Sequence, residues 1–244
     1  MSSLGRDGVR LAHDEAGHGE PPLLFVHGWT CDRSALAAQR EHFARRHRVI
    51  AVDLRGHGRS DRPAQEYTMA GFAEDLAWLC ERLGVEAPLV IGHSMGGVVA
   101  LELAACHPDV PAAIVTLDAP ILPSSAMRRR VTPLLDGPDA RQAQRAFVGE
   151  ALFLPTDDPR RRARLLEQMA ETPQHVMSSA FKHMLACDTA DAVAKCRVPF
   201  LYLYAAKPSS DLARLRQLCP HVVTGQTVGA ATSINSKFPR RSTP

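Results

Sequence analysis

Short apolar runs and longer helical segments alternate along most of this chain. Bounded by turn residues, the apolar runs are typical of buried strands; they lie at 22–26, 49–52, 88–91, 112–117, 199–204 and 222–228. The segments with helical spacing of apolar residues cover 34–43, 69–83, 98–106, 176–185 and 211–218. Strands separated by helices form βαβ units, so the pattern predicts an α/β fold with a mostly parallel sheet. Weak alternation at 8–15 predicts an edge strand or hairpin before it.

The alternation breaks after residue 118. Short helical stretches then follow, interrupted by prolines at 120, 123, 133, 138, 155 and 159. We interpret 119–173 as an inserted helical cap, with its arginine runs as a solvated surface rather than a site for acidic substrates. The predicted organisation is a core at 1–118 and 174–230, the cap at 119–173 and an irregular tail at 231–244.

Composition excludes several classes of function. The 244 residues, 45% hydrophobic and 23% charged, fit one globular domain. A net charge of +3 with mostly dispersed basic residues gives no support for nucleic-acid binding. The six cysteines lack metal-ligand spacing, and we find no signal peptide and no run long enough to span a bilayer. We therefore expect a cytoplasmic protein without a metal, a membrane or a nucleic-acid partner; its oligomeric state is not predicted.

The candidate chemistry lies in Gly92-His93-Ser94-Met95-Gly96, which follows a predicted strand and precedes a predicted helix. A serine at the tip of such a sharp turn has a strained backbone, and its neighbours two positions away must be small because strand and helix close on each other. The turn also places the Ser94 hydroxyl at a helix N-terminus, where N–H groups favour developing negative charge. Ser94 is therefore a candidate nucleophile.

Three motifs at compatible spacing make the chain resemble the α/β-hydrolase family over about 8–228. They are His27-Gly28-Trp29, the turn Asp-Leu-Arg-Gly-His-Gly-Arg-Ser at 53–60, and the serine segment at 92–97. The resemblance implies a sheet with helices on both faces, Ser94 as nucleophile, and an oxyanion hole formed by the backbone N–H groups of Trp29 and Met95. It implies no cofactor. The family's haloalkane dehalogenases and epoxide hydrolases attack with aspartate, so a serine favours acyl transfer.

The acid of a serine–histidine–acid triad has two candidates. The family's usual place, after the strand at 199–204, lacks a carboxylate. Some members take the acid from the end of the preceding strand, where Asp118 stands. We favour Asp118 over Asp211, which has the position of a helix N-cap, and we interpret Asp53 as a brace for the turn that follows it.

No histidine stands where the resemblance places the catalytic base, just after the last strand near Gly229. None follows His221, which lies at the start of that strand. We interpret His27 and His57 as turn-stabilising residues and His93 as pointing away from Ser94, rather than as bases. The family's closing helix is also missing, because the tail from 233 is polar and without apolar periodicity.

A shifted reading frame would explain this tail. If 231–239 were encoded GCC ACT TCA ATC AAC TCG AAG TTC CCG, one additional G before it would give Gly-His-Phe-Asn-Gln-Leu-Glu-Val-Pro. The histidine would then replace Thr232. Our hypothesis is that a one-base deletion produced the tail, so that the catalytic base is lost and the uncovered sheet favours aggregation.

We expect a capped serine hydrolase that acts on small to medium carboxylic esters through an acyl-enzyme, with impaired activity in this chain. The same scaffold hydrolyses C–C bonds and thioesters and supports perhydrolysis, and a histidine-less chain is also compatible with a non-catalytic binding protein. These alternatives stay open at the level of sequence.

Overall fold

A single mixed sheet runs through the part of the protein that the computed structural model describes, residues 2–123, 139–153, 157–205 and 208–227. Its strands are β1 (Ser2–Arg6), β2 (Val9–Ala16), β3 (Leu23–Val26), β4 (Val49–Val52), β5 (Leu89–His93), β6 (Ala113–Leu117), β7 (Phe200–Tyr204) and β8 (Val223–Gln226). They lie in the order β1-β2-β4-β3-β5-β6-β7-β8. The pairs β1–β2 and β2–β4 are antiparallel, and all the others are parallel. The predicted mostly parallel sheet is confirmed.

The apolar runs correspond closely to these strands, because five of the six strands from β3 to β8 lie in the interior of the sheet, where burial selects apolar residues. The weak alternation at 8–15 is β2. Strand β1 was not predicted, since it is an edge strand of mostly exposed residues and has no apolar periodicity.

The helices of the described residues are α1 (Ala37–Phe43), α2 (Met69–Leu83), α3 (Met95–Cys106), α4 (Ala140–Ala151), α5 (Pro159–Ala170), α6 (Gln174–Ala186), α7 (Thr189–Lys195) and α8 (Leu212–Leu218). Helix α2 shows how local sequence sets the ends. The Thr68 hydroxyl accepts a hydrogen bond from the N–H of Gly71 (3.0 Å), and Gly84 ends the helix with a φ of 59°. Helix α7 was not predicted. None of the helices in these residue ranges has the length and apolar character needed to cross a membrane.

Helices cover the two faces of the sheet unequally. Helices α2, α3 and α7 contribute to a large apolar core on one face. On the other face, α1 packs near β3 and β4, and the core residues there are fewer. Towards β8 this second face becomes open: Ile91, Val115 and Leu203 are only partly buried, and Val223 is 62% exposed. Apolar surface of the sheet is thus accessible at these described residues.

Replacing Val223 with lysine should increase the fraction of protein that stays soluble without lowering the melting temperature. A charge on an edge strand opposes edge-to-edge association, and a substitution at an exposed site changes the free energy of unfolding by within about 0.5 kcal/mol. Light scattering and a thermal melt measure the two effects. Val222→Lys is the matched control, because Val222 is 9% exposed and a lysine there should destabilise the fold. Unchanged aggregation of Val223→Lys would contradict a role for this face.

Helices α4 and α5 lie within the segment expected to form a cap. Pro159 occupies the first turn of α5, and the Asp158 carboxylate accepts a hydrogen bond from the N–H of Arg160 (2.9 Å). Arg162 lies over the ring of Phe153 at 5.5 Å. The arginines at 128–130 and the tail at 231–244, with Thr232, lie outside the described residues.

Candidate active site

Ser94 occupies a strained turn between β5 and α3. Its φ is 51°, a backbone angle that residues other than glycine rarely adopt. Its N–H donates to the carbonyl of Leu117 on β6 (2.9 Å), and its carbonyl accepts from the N–H of Gly97 (2.9 Å). A methyl group on Gly96 would collide with backbone carbonyls of β3 and the residue after it, and one on Gly92 would collide with the carbonyl of Gly96. The close approach predicted from the two glycines is therefore present.

Two backbone segments meet at Ser94, the first turn of α3 and the residues that follow β3. Met95 is the first residue of α3, so its N–H has no partner within the helix. Gly28, two residues after β3, packs against Ser94: a methyl group on Gly28 would lie 3.3 Å from Cβ of Ser94. Trp29 comes next, with its indole N–H donating to the carbonyl of Met177 (2.8 Å). The residue before Trp29 thus lies close to Ser94, while the Trp29 side chain is anchored on α6.

Asp118 is a buried carboxylate beside the strand that carries Ser94. It directly follows β6, is 2% exposed and has a φ of 47°. Its N–H donates to the carbonyl of Leu203 (2.6 Å), and its Oδ1 accepts from the N–H of Ala205 (3.3 Å), at the end of β7. The carboxylate therefore lies at the same edge of the sheet as Ser94, between the ends of β6 and β7.

The other two carboxylates have structural partners. Asp211 is exposed and accepts a hydrogen bond from the N–H of Arg214 (3.0 Å), as an N-cap of α8. Asp53 is fully buried, forms an ion pair with Arg33 and accepts from the N–H of Arg59 (2.8 Å). These contacts hold the turn after β4 in place.

Two buried histidines stabilise turns. His27 accepts from the N–H of Leu54 through Nε2 (3.0 Å) and lies with Nδ1 2.8 Å from the carbonyl of Gly28. His57 has Nδ1 3.0 Å from the carbonyl of Arg55. Burial lowers the pKa of His57 to about 3 and also lowers the pKa of His27, so both rings are neutral near neutral pH. Their bonds to the backbone agree with the interpretation of these rings as structural.

A group of polar side chains, of which Thr30 and Gln144 are buried, links the loop after Trp29 to helices α4 and α5, and the sequence patterns did not single it out. Gln144 of α4 donates to the hydroxyl of Thr30 (3.0 Å), and Gln168 of α5 donates to the carboxylate of Asp32 (2.5 Å) and the hydroxyl of Ser34 (2.9 Å). One signal was available: Gln144 interrupts the apolar positions at Ala140 and Val148 on one face of α4.

Comparison with known proteins places this architecture in a family. A model of the alpha/beta hydrolase fold family matches residues 21–230. The AB hydrolase superfamily protein YisY of Bacillus subtilis (strain 168) is 37% identical over 100 residues, 41% of this chain and 37% of that protein. The bifunctional esterase/perhydrolase DCH of Acinetobacter calcoaceticus is 34% identical over 120 residues, 48% of this chain and 44% of that protein. The matches thus span less than half the length of these curated relatives.

Solved structures match over nearly the whole chain. A thermophilic esterase from Thermogutta terrifontis superposes with a TM-score of 0.80 and 26% identity, covering 95% of this chain and 89% of that one. The match of the family model covers most of the chain, and the sheet order and the turn at Ser94 agree with it. The chain belongs to the alpha/beta hydrolase family.

Proposed function

We propose that this chain is a serine hydrolase by lineage, with Ser94 as the nucleophile toward small to medium carboxylic esters. The observation that carries the proposal is the backbone of Ser94: a strained, positive-φ serine at the first turn of a helix, in contact with Gly28. The esterase and the esterase/perhydrolase named above support the reaction class. What those two proteins act on is a property of those proteins and is not carried over to this chain.

The proposed reaction begins with attack of the Ser94 oxygen on the ester carbonyl carbon. The carbonyl oxygen becomes negatively charged and accepts hydrogen bonds from the N–H groups of Trp29 and Met95, each of which is typically worth about 3 kcal/mol in the transition state. Collapse of the tetrahedral intermediate releases the alcohol and leaves an acyl-Ser94 ester. Water then cleaves this ester, and both steps need a base that removes a proton from the attacking oxygen.

Asp118 is the proposed acid that would orient that base. Its carboxylate is buried at the carboxyl edge of the sheet, and the residue before it, Leu117, accepts the hydrogen bond from the N–H of Ser94. Asp211 is less suited, because its carboxylate is exposed and occupied as an N-cap.

The identity of the catalytic base depends on the reading-frame hypothesis. We propose that a histidine at position 232 completes the site in the restored frame and that this chain, with Thr232, has residual activity only. We further propose that 119–173 forms a cap over the site, since α4 and α5 contact the loop that follows Trp29. C–C bond hydrolysis, thioester hydrolysis and perhydrolysis use the same nucleophile, and no contact of the described residues favours them.

Incubation with p-nitrophenyl butyrate should convert the chain slowly to a butyryl-Ser94 adduct that accumulates. Residual attack by Ser94 forms the ester, and hydrolysis of that ester is slow because it also needs the base. Intact-mass spectrometry followed over hours measures the adduct, and peptide mapping locates it.

The adduct should be absent from Ser94→Ala and unchanged in Ser3→Ala, which removes an exposed serine of β1. An adduct that persists in Ser94→Ala would refute Ser94 as the nucleophile. A chain that forms no adduct at all would favour the non-catalytic alternative.

A further inference from the structure

Thr30, the residue after Trp29, has a backbone conformation that its side chain disfavours. Its φ is 54°, and it is β-branched and 1% exposed. A β-branched residue with positive φ is strained and keeps that conformation only where its surroundings hold it. Thr30 is bonded directly to the carboxyl side of Trp29, so the groups that hold Thr30 also restrain the backbone of Trp29.

The groups that hold Thr30 are more than a hundred residues away in the sequence. The Gln144 Nε2 donates to the Thr30 hydroxyl (3.0 Å), and the Thr172 hydroxyl donates to the Thr30 carbonyl (3.4 Å). Gln144 is 2% exposed and Thr172 is 3% exposed. Both lie in the segment proposed to be the cap, while Thr30 belongs to the core.

Gln144 is a costly residue at this position. It lies one helical turn from Ala140 and one from Val148, both buried, on a face of α4 that is otherwise apolar. Its Oε1 is buried and has no hydrogen-bond partner among the described residues. A buried acceptor without a partner destabilises the folded state, so this amide is not explained by stability.

We propose that Gln144 is a positioning residue of the oxyanion hole, which acts through the Thr30 hydroxyl to aim the backbone N–H of Trp29 at the Ser94 site. The proposal rests on the proposed function of Ser94. Its consequence is that the cap completes the oxyanion hole, because the contact that fixes the strained turn crosses from α4 to the core. Replacing Gln144 should then weaken the binding of tetrahedral species that place an oxygen in the oxyanion hole, and it should change the binding of planar species little.

Gln144→Leu tests this in the chain as it exists. The probe is phenylboronic acid: the Ser94 oxygen forms a bond to boron, the serine proton passes to water, and one boronate hydroxyl occupies the oxyanion hole. We expect Gln144→Leu to weaken phenylboronate binding by about tenfold. Benzoate, which is planar, should bind to Gln144→Leu with a dissociation constant within about twofold of that for the unchanged chain. Titration calorimetry gives both constants, and ¹¹B NMR identifies the tetrahedral adduct.

Three controls test whether the effect of Gln144→Leu comes from its hydrogen bond to Thr30. Gln217→Leu removes an exposed glutamine of α8 and should leave both constants unchanged. Thr30→Val removes the other partner of the same hydrogen bond, so Thr30→Val combined with Gln144→Leu should weaken phenylboronate no more than either change alone. The melting temperature of Gln144→Leu should change little, because the loss of the donor to the buried Thr30 hydroxyl is offset by removal of the unpartnered Gln144 acceptor.

The possible failures are distinguishable. Phenylboronate binding that Ser94→Ala leaves intact would refute the proposed function. Binding that depends on Ser94 but is unaffected by Gln144→Leu, or equal losses for phenylboronate and benzoate, would refute the role of Gln144 and leave the proposed function standing.

Discussion

Replacing 231–239 with the frame-restored segment Gly-His-Phe-Asn-Gln-Leu-Glu-Val-Pro should raise the hydrolysis of p-nitrophenyl butyrate by about 10⁴-fold or more. The physical reason is the pKa of the nucleophile: an unassisted serine hydroxyl is protonated at neutral pH, and an imidazole can both remove its proton and protonate the leaving alcohol. The measurement is kcat/KM by release of p-nitrophenol at pH 7.5 to 8.

The place of the histidine is consistent with the sheet. Strands β5, β6, β7 and β8 are parallel, so residues that follow β8 emerge at the edge where Ser94 and Asp118 lie. Thr227, directly after β8, still donates its N–H to the carbonyl of Tyr204 (2.9 Å). Position 232 is a few residues beyond.

Matched variants separate the imidazole from the rest of the restored segment. The restored chain with asparagine at position 232 in place of histidine should stay near the activity of this chain, and the restored chain with Ser94→Ala should be inactive. If this chain already hydrolyses the ester rapidly and Ser94→Ala abolishes the reaction, another residue is the base and the reading-frame hypothesis is wrong.

Asp118→Asn in the restored chain should lower kcat by about 10⁴-fold. The neutral amide keeps the size of the side chain and can still accept the hydrogen bond from the N–H of Ala205, so the fold is retained. It no longer stabilises an imidazolium or selects the tautomer in which Nε2 faces Ser94. Steady-state kinetics with the same ester measures the loss, and a thermal melt checks the fold.

Asp211→Asn is the control for this experiment. Asparagine is as good an N-cap as aspartate, so kcat should stay within about twofold and the free energy of unfolding should change little. Asp211→Ala should lower that free energy by about 1 kcal/mol without a comparable loss of kcat. A large loss of kcat in Asp211→Asn, with Asp118→Asn active, would reverse the assignment of the acid.

The helical segments show how far local patterns reach. Helix α2 lies where predicted, because its apolar stripe, its Thr68 cap and its Gly84 terminus are all local features. Helix α3 begins at Met95, three residues before the predicted start, since the turn at Ser94 leads directly into it. Short α7 was missed, because Val193 is the only large apolar residue among its seven residues and its alanines give no clear period.

The sequence by itself determined where the buried strands lie along the chain, the sharp turn at Ser94 and membership of an α/β class, because apolar runs and glycines constrain the residues next to them. Only the tertiary structure decided that the Asp118 carboxylate reaches the N–H of Ala205 and that Gln144 holds Thr30, more than a hundred residues away. Such pairs depend on strand order and helix packing, which bring distant residues to one edge of the sheet. The sequence marks Gln144 only as a polar residue between two apolar positions of α4, and no local pattern identifies Thr30 as its partner.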